Sequence, residues 1–148
     1  MSGRTRGYAH RVDIAAGATP VWKALTDTES LRRWCSPDAQ ILAREGGSFR
    51  ASVDRVTELE AHIDVWLPLR RMRIIYLPSE DLPQAGSAIV DDFILDDSDP
   101  GKTILRLLGS GFPANEESDK LYLRLRTGWE RAVARLKVLV EQTVRESA

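Results

Sequence analysis

The chain has 148 residues, enough for one domain with a buried core and too few for two comfortable ones. Basic and acidic residues number 21 and 22, so nothing suggests the basic excess of a nucleic-acid binder. No run approaches the 18 or more apolar residues of a membrane span, and the N-terminus carries no stretch of signal-peptide length.

Residues 1–7 are polar and glycine-containing, as in a frayed tail. Tyr8–Ala15 alternates large with small or charged residues, the period of a half-buried strand. Thr19 is placed to cap a short helix, with Pro20 at its first position. Thr28 opens a second short helix, and Pro37 ends it. Strands are predicted over 39–44 and 48–54, turning on Gly46-Gly47, which supplies the positive φ of a tight hairpin. Leu59, Ala61, Ile63, Val65 and Leu67 then share a face opposite Glu60, His62, Asp64 and Trp66.

Met72, Ile74 and Tyr76 continue the alternation beyond Pro68, and 78–86 reads as a loop. A last hairpin, 87–97 and 102–109, turns on Asp99-Pro100-Gly101 with the chemistry of a type II turn. Gly109-Ser110-Gly111 reads as a short turn and 113–117 as a linker. From about residue 118 to 145 the apolar period becomes three and four, with Leu121, Leu125, Trp129, Ala132, Val133, Leu136, Val140 and Val144 on one stripe. A helix of that length spans about 40 Å, enough to cross a whole sheet. The predicted fold is therefore α+β: a curved antiparallel sheet wrapped around one long C-terminal helix, with two short helices after the first strand.

The segments Ala15–Asp27, Leu31-Arg-Arg-Trp34, Gly46-Gly47-Ser48-Phe49 and Thr127-Gly128-Trp129 with Leu136-Lys137 resemble the START/SRPBCC superfamily. Within it they are most similar to the branch named after the C-terminal domain of the activator of the heat-shock protein 90 ATPase. The resemblance spans nearly the whole chain and implies a single helix-grip, birch-pollen-allergen-like domain over 1–148. It also implies a central hydrophobic cavity, because members bind lipids, sterols and polyketides there. Some members are cyclases, and a few regulate chaperones. The sequence departs from the family in lacking the separate N-terminal domain of the eukaryotic chaperone activators and in the regularity of Glu58–Pro68.

On these expectations Trp34, Phe49, Tyr76, Phe93, Phe112 and Trp129 either line a ligand cavity or fill the core, with Trp34 at the mouth. Asp91 shares a face with Ile89, Phe93 and Leu95, so alternation points it inward; a one-residue bulge would exchange it for Asp92. An inward carboxylate has a raised pKa and serves as proton donor or acceptor. His10, on the face of Val12 and Ile14, is the other acid–base candidate, and a His10–Asp91 pair would suit cyclase or hydrolase chemistry. Gly128 in mid-helix points to a close approach between helix and sheet. Two histidines and the lone Cys35 compose no metal site, and no nucleotide or nucleophile-elbow motif is present, so neither metal nor cofactor is expected.

Three functions remain open: binding of a hydrophobic small molecule, catalysis in the same cavity, and protein interaction through Leu42, Trp66 and Arg70–Arg73. A reducing, cytoplasmic and bacterial setting is expected. Monomer and homodimer are equally compatible with the sequence.

Overall fold

The computed structural model describes residues 3–84 and 86–147. Strand β1 (Thr5–Ile14) is followed by helices α1 (Ala18–Thr26) and α2 (Thr28–Trp34). Six strands come next: β2 (Gln40–Ile41), β3 (Ser48–Ala51), β4 (Leu59–Leu67), β5 (Arg71–Tyr76), β6 (Val90–Asp96) and β7 (Thr103–Pro113). A 3-10 turn, Glu116–Ser118, leads into helix α3 (Asp119–Ser147). The sheet order is β1-β7-β6-β5-β4-β3-β2 with every pairing antiparallel. Helix α3 lays Leu125, Trp129, Ala132, Val133, Leu136 and Val140 onto the inner face of the sheet, and α1 and α2 close one end. The predicted helix-grip arrangement is the observed one.

Four local features differ from the sequence reading. Strand β1 starts at Thr5, inside the expected tail, because β7 runs on to Pro113 and pairs with Thr5 and Arg6. Arg6 is held further by Asp119, at 2.7 Å, and by the ring of Tyr122. Residues 1 and 2 of that tail lie outside the described residues. Helix α1 begins at Ala18 with Gly17 in the cap position, so Thr19 lies within the first turn and caps nothing. By contrast, Asp27 caps α2 through the Ser30 amide at 3.0 Å.

The third difference is a bulge in β4 between Ile63 and Val65. It rotates the rest of the strand, so Trp66 pairs with inward Met72 and packs on Trp22 of α1 with ring centroids 5.0 Å apart. Trp66 is thus withdrawn from the outer surface assigned to it by strict alternation. The last difference is Gly109-Ser110-Gly111, which is strand β7 and no turn.

The turn from β4 to β5 carries a strained residue. The Arg70 amide donates to Leu67 O at 2.9 Å, Pro68 takes the second position, and Leu69 takes the third at φ +69°. That position of a type II turn favours glycine, because a Cβ there crowds the backbone. Leu69→Gly is expected to raise stability by about 0.5–1 kcal/mol in urea unfolding. An unchanged or lowered midpoint would show that Leu69 repays its strain through packing.

Candidate functional site

Asp91 lies in β6 between Gly109 of β7 and Ile74 of β5. Alternation with Ile89 and Phe93 turns it inward, where it is fully buried. The sheet register explains its partners. Tyr8 in β1 stands opposite Gly109, and Gly109 stands opposite Asp91. The Tyr8 ring therefore lies across Gly109, and its hydroxyl donates to Asp91 Oδ1 at 2.6 Å. A side chain on Gly109 would collide with that ring. From the other side Tyr76, diagonal to Asp91 on β5, donates to Oδ2 at 2.6 Å.

Burial pushes the Asp91 carboxyl up to about 7; the hydrogen bonds from Tyr76 and Tyr8 hold it below where burial alone would put it. Both phenols are raised well above their ordinary value, by burial first and then by the Asp91 charge, so they remain donors at neutral pH. The Trp129 indole N–H is buried and, among the described residues, lacks a hydrogen-bond partner.

Aromatic rings enclose the cluster. Trp129 meets Phe93 edge-on at 5.5 Å and Phe49 at 6.4 Å, while Phe112 sits 5.4 Å from Tyr8. Among the sequence-predicted residues, then, Phe49, Tyr76, Asp91, Phe93 and Trp129 converge, with Phe112 joined through Tyr8. Trp34 takes another part: its indole donates to Ala24 O at 2.8 Å and ties α2 to α1, away from any mouth. Tyr8 and Gly109 are the positions of this cluster that sequence reading missed. The signal was there in Tyr8, whose phenol needs a partner once its strand face is buried.

His10 does not pair with Asp91. Tyr8 stands between them, its hydroxyl on Asp91 and its ring stacked on the imidazole at 5.0 Å. Burial lowers the His10 pKa, and among the described residues its Nε2 is without a partner. His10 instead faces a groove of about 680 Å³ between β1 and α3, with Tyr122, Arg126 and Glu130. A second groove of about 540 Å³ flanks the opposite side of α3. The seven predicted ligand residues line neither groove, and each is at most 2 % exposed; Phe49 and Phe93 pack against Trp129 between sheet and helix.

Part of the predicted interaction surface is neutralised, although Arg70 is exposed. Arg71 and Arg73, expected as contacts, form two-pronged pairs with Asp92 and Asp64. Leu42 is exposed as expected, and Leu67 and Leu69 are exposed with it. Cys35 is buried, which raises its thiol far above the reactive range. No group of three or more metal-ligating side chains converges among the described residues. No described helix is long and apolar enough to cross a membrane.

Comparison with known proteins bears on the fold and the family. Residues 15–141 match the family described as Activator of Hsp90 ATPase homolog 1-like protein. None of the curated proteins matches the chain significantly. Among solved structures, protein MLL2253 from Mesorhizobium loti is 22% identical with a TM-score of 0.78, over 93% of this chain and 98% of that one. The Aha1 dimer from Colwellia psychrerythraea is 16% identical with a TM-score of 0.73, over 92% and 96%. DynU16, a protein of the dynemicin biosynthetic locus, is 20% identical with a TM-score of 0.69, over 91% of this chain and 47% of that one. These likenesses establish the shared fold.

Proposed function

The chain belongs to the Activator of Hsp90 ATPase homolog 1-like protein family, and on that premise we propose that it binds a hydrophobic small molecule, lipid-like or polyketide-like, between its sheet and helix α3. The observation that carries this reading is the Tyr8–Asp91–Tyr76 cluster, whose carboxylate is fully buried. For stability alone the position would be better filled by an apolar side chain, since desolvating a carboxylate costs several kcal/mol. A few convergent polar groups among aromatic walls are instead the pattern of a small-molecule site.

In this reading the ligand's apolar body takes space now filled by Phe49, Phe93 and Trp129. A hydroxyl or carbonyl on the ligand meets the Asp91 cluster and the free Trp129 N–H. The likeness to DynU16, a protein of a biosynthetic locus, is compatible with small-molecule binding, and the buried lone Cys35 fits a reducing cytoplasm. Titrating a panel of hydroxylated aromatic and aliphatic ligands, read by the Trp129 indole signal in NMR, tests the proposal. At least one class should shift that signal, and Tyr76→Phe should weaken binding about tenfold by removing one polar partner. A panel that leaves the indole signal in place overturns it.

A protein-interaction role of the kind the family description states has its own support in the β4–β5 turn. Leu67 and Leu69 are exposed together there, and Leu69 keeps a left-handed conformation that glycine would adopt without strain. The expected result is that Leu67→Ser with Leu69→Ser removes any stimulation of an Hsp90-type ATPase. Equal stimulation by the variant would clear this turn of that role.

A further inference from the structure

The groove on the β3 side of α3 has a charge that the rest of the chain does not share. Four guanidiniums, those of Arg55, Arg124, Arg131 and Arg135, line it against one carboxylate, Asp54, on a protein with a net charge of −1. That carboxylate is already committed. Its Oδ1 accepts from the Val56 and Thr57 amides at 3.0 and 2.7 Å, and its Oδ2 accepts from the Thr57 hydroxyl at 2.6 Å and from Arg124 at 3.2 Å. Arg135 directs its guanidinium to the carbonyls of Trp34 and Cys35 and, among the described residues, has no carboxylate partner. The side chains of Arg55 and Arg131 are exposed and, among the described residues, form no hydrogen bond or ion pair.

Arg55 sits at a φ of +62°, which an arginine adopts only against a steric cost. The Asp54 hydrogen bonds to Val56 and Thr57 hold that conformation. The same groove has an apolar side, formed by Val53 and the half-exposed Leu123. Its floor is the seam where α3 presses on the loop after β3. A Cβ on Gly128 would stand 2.9 Å from Val53 O, so only glycine permits this approach. The seam separates the groove from the Asp91 cluster, whose own carboxylate is unsuited to an anion.

We propose that this groove is a second binding site, for a small amphiphile with a carboxylate end. Arg55 and Arg131 take the carboxylate through paired N–H donors, the geometry for which guanidinium is suited. Leu123, Val53 and the arginine stems cover the apolar body. Its volume of about 540 Å³ suits a ligand of that size.

Decanoate, decanol and decyltrimethylammonium, titrated into the full chain by calorimetry, test the assignment. Decanoate should bind with a Kd of about 0.1–1 mM, and at least about tenfold more tightly than the other two. Arg55→Gln with Arg131→Gln should weaken decanoate at least about tenfold, because both lost charges are unpaired in the free protein. In the native protein, raising salt to about 0.5 M should weaken binding several-fold, a measurement that needs no variant. NMR shifts should fall on Arg55 and Thr127 and leave the Trp129 indole in place, which separates this site from the interior one. Absence of decanoate binding, equal binding by the double variant, or indifference to salt overturns the proposal.

Discussion

Replacing Asp91 by asparagine is expected to abolish a fall in stability that the native protein undergoes as pH rises from about 4 to about 7. The folded carboxyl is raised to about 7, whereas an unfolded aspartate titrates near its ordinary 3.8. The folded state therefore holds a proton that the unfolded state has released, and stability declines as pH rises through that interval. The contribution is fully present below the unfolded pKa and lost once pH passes the folded one. A displacement of this size corresponds to about 4 kcal/mol at pH 8.

The asparagine variant is neutral throughout and keeps an amide that both accepts and donates. It should thus be the more stable protein at pH 8, and the advantage should vanish toward pH 4. Urea unfolding of both proteins at each pH reads the difference directly. The comparison also cancels His10, whose lowered pKa acts in the opposite direction over an overlapping range. A native-to-variant difference that is constant from pH 4 to 8 would show that Asp91 ionises without hindrance. It would also remove the reason for regarding the cluster as more than packing.

Gly109→Val should cost about 3 kcal/mol. A Cβ at that position would stand 2.5 Å from Tyr8 Cε1 and closer still to Cζ. The ring cannot remain flat, and the hydroxyl leaves Asp91 Oδ1. Two consequences follow from different physics. Packing between β1 and β7 is disturbed, which lowers stability at every pH. Asp91 also keeps only the Tyr76 donor, so its transition moves further upward.

Tyr8→Phe separates these effects. It preserves the ring on Gly109 and loses only the hydroxyl, at a cost of about 1–2 kcal/mol, with the same upward movement of the Asp91 transition. A Gly109→Val protein as stable as the native one would mean that Tyr8 has another place to go. In that event the row Tyr8–Gly109–Asp91 would not be the element that positions the site.

Much of the fold was legible because its signals are local. Asp99-Pro100-Gly101 carries its turn type in its own residues: the Lys102 amide returns to Asp99 O at 3.2 Å with Gly101 at φ +72°. The apolar stripe of α3 and the inward alternation of Ile89, Asp91, Phe93 and Leu95 were equally readable, since side-chain periods follow from backbone geometry. Trp66 was not. One bulge at Asp64, invisible in a pattern that alternates correctly on both sides of it, moved Trp66 from the outer face to the inner one. Gly109 was misread for a related reason. Two glycines one residue apart resemble a turn; the ring of Tyr8, 101 positions earlier, explains Gly109, and the close approach of the Ala88 backbone at a φ of +87° explains Gly111.

The candidate site divides along the same line. By itself the sequence determined that a carboxylate would face the interior among aromatic residues, because alternation in β6 is a property of one segment. It also determined that the last helix would touch something closely at Gly128. Only the tertiary structure decided which groups meet. Asp91 takes Tyr8 and Tyr76 in place of His10, because the register lines Tyr8 up with Asp91 across Gly109 and sets His10 in the row of Leu107 and Phe93. Likewise, the arginines of α3 become a cationic groove only when the loop carrying Asp54 and Arg55 folds over them. Periodicity is written within a segment, whereas partnership depends on the register between segments far apart in the chain, and that register is set by packing across the whole sheet.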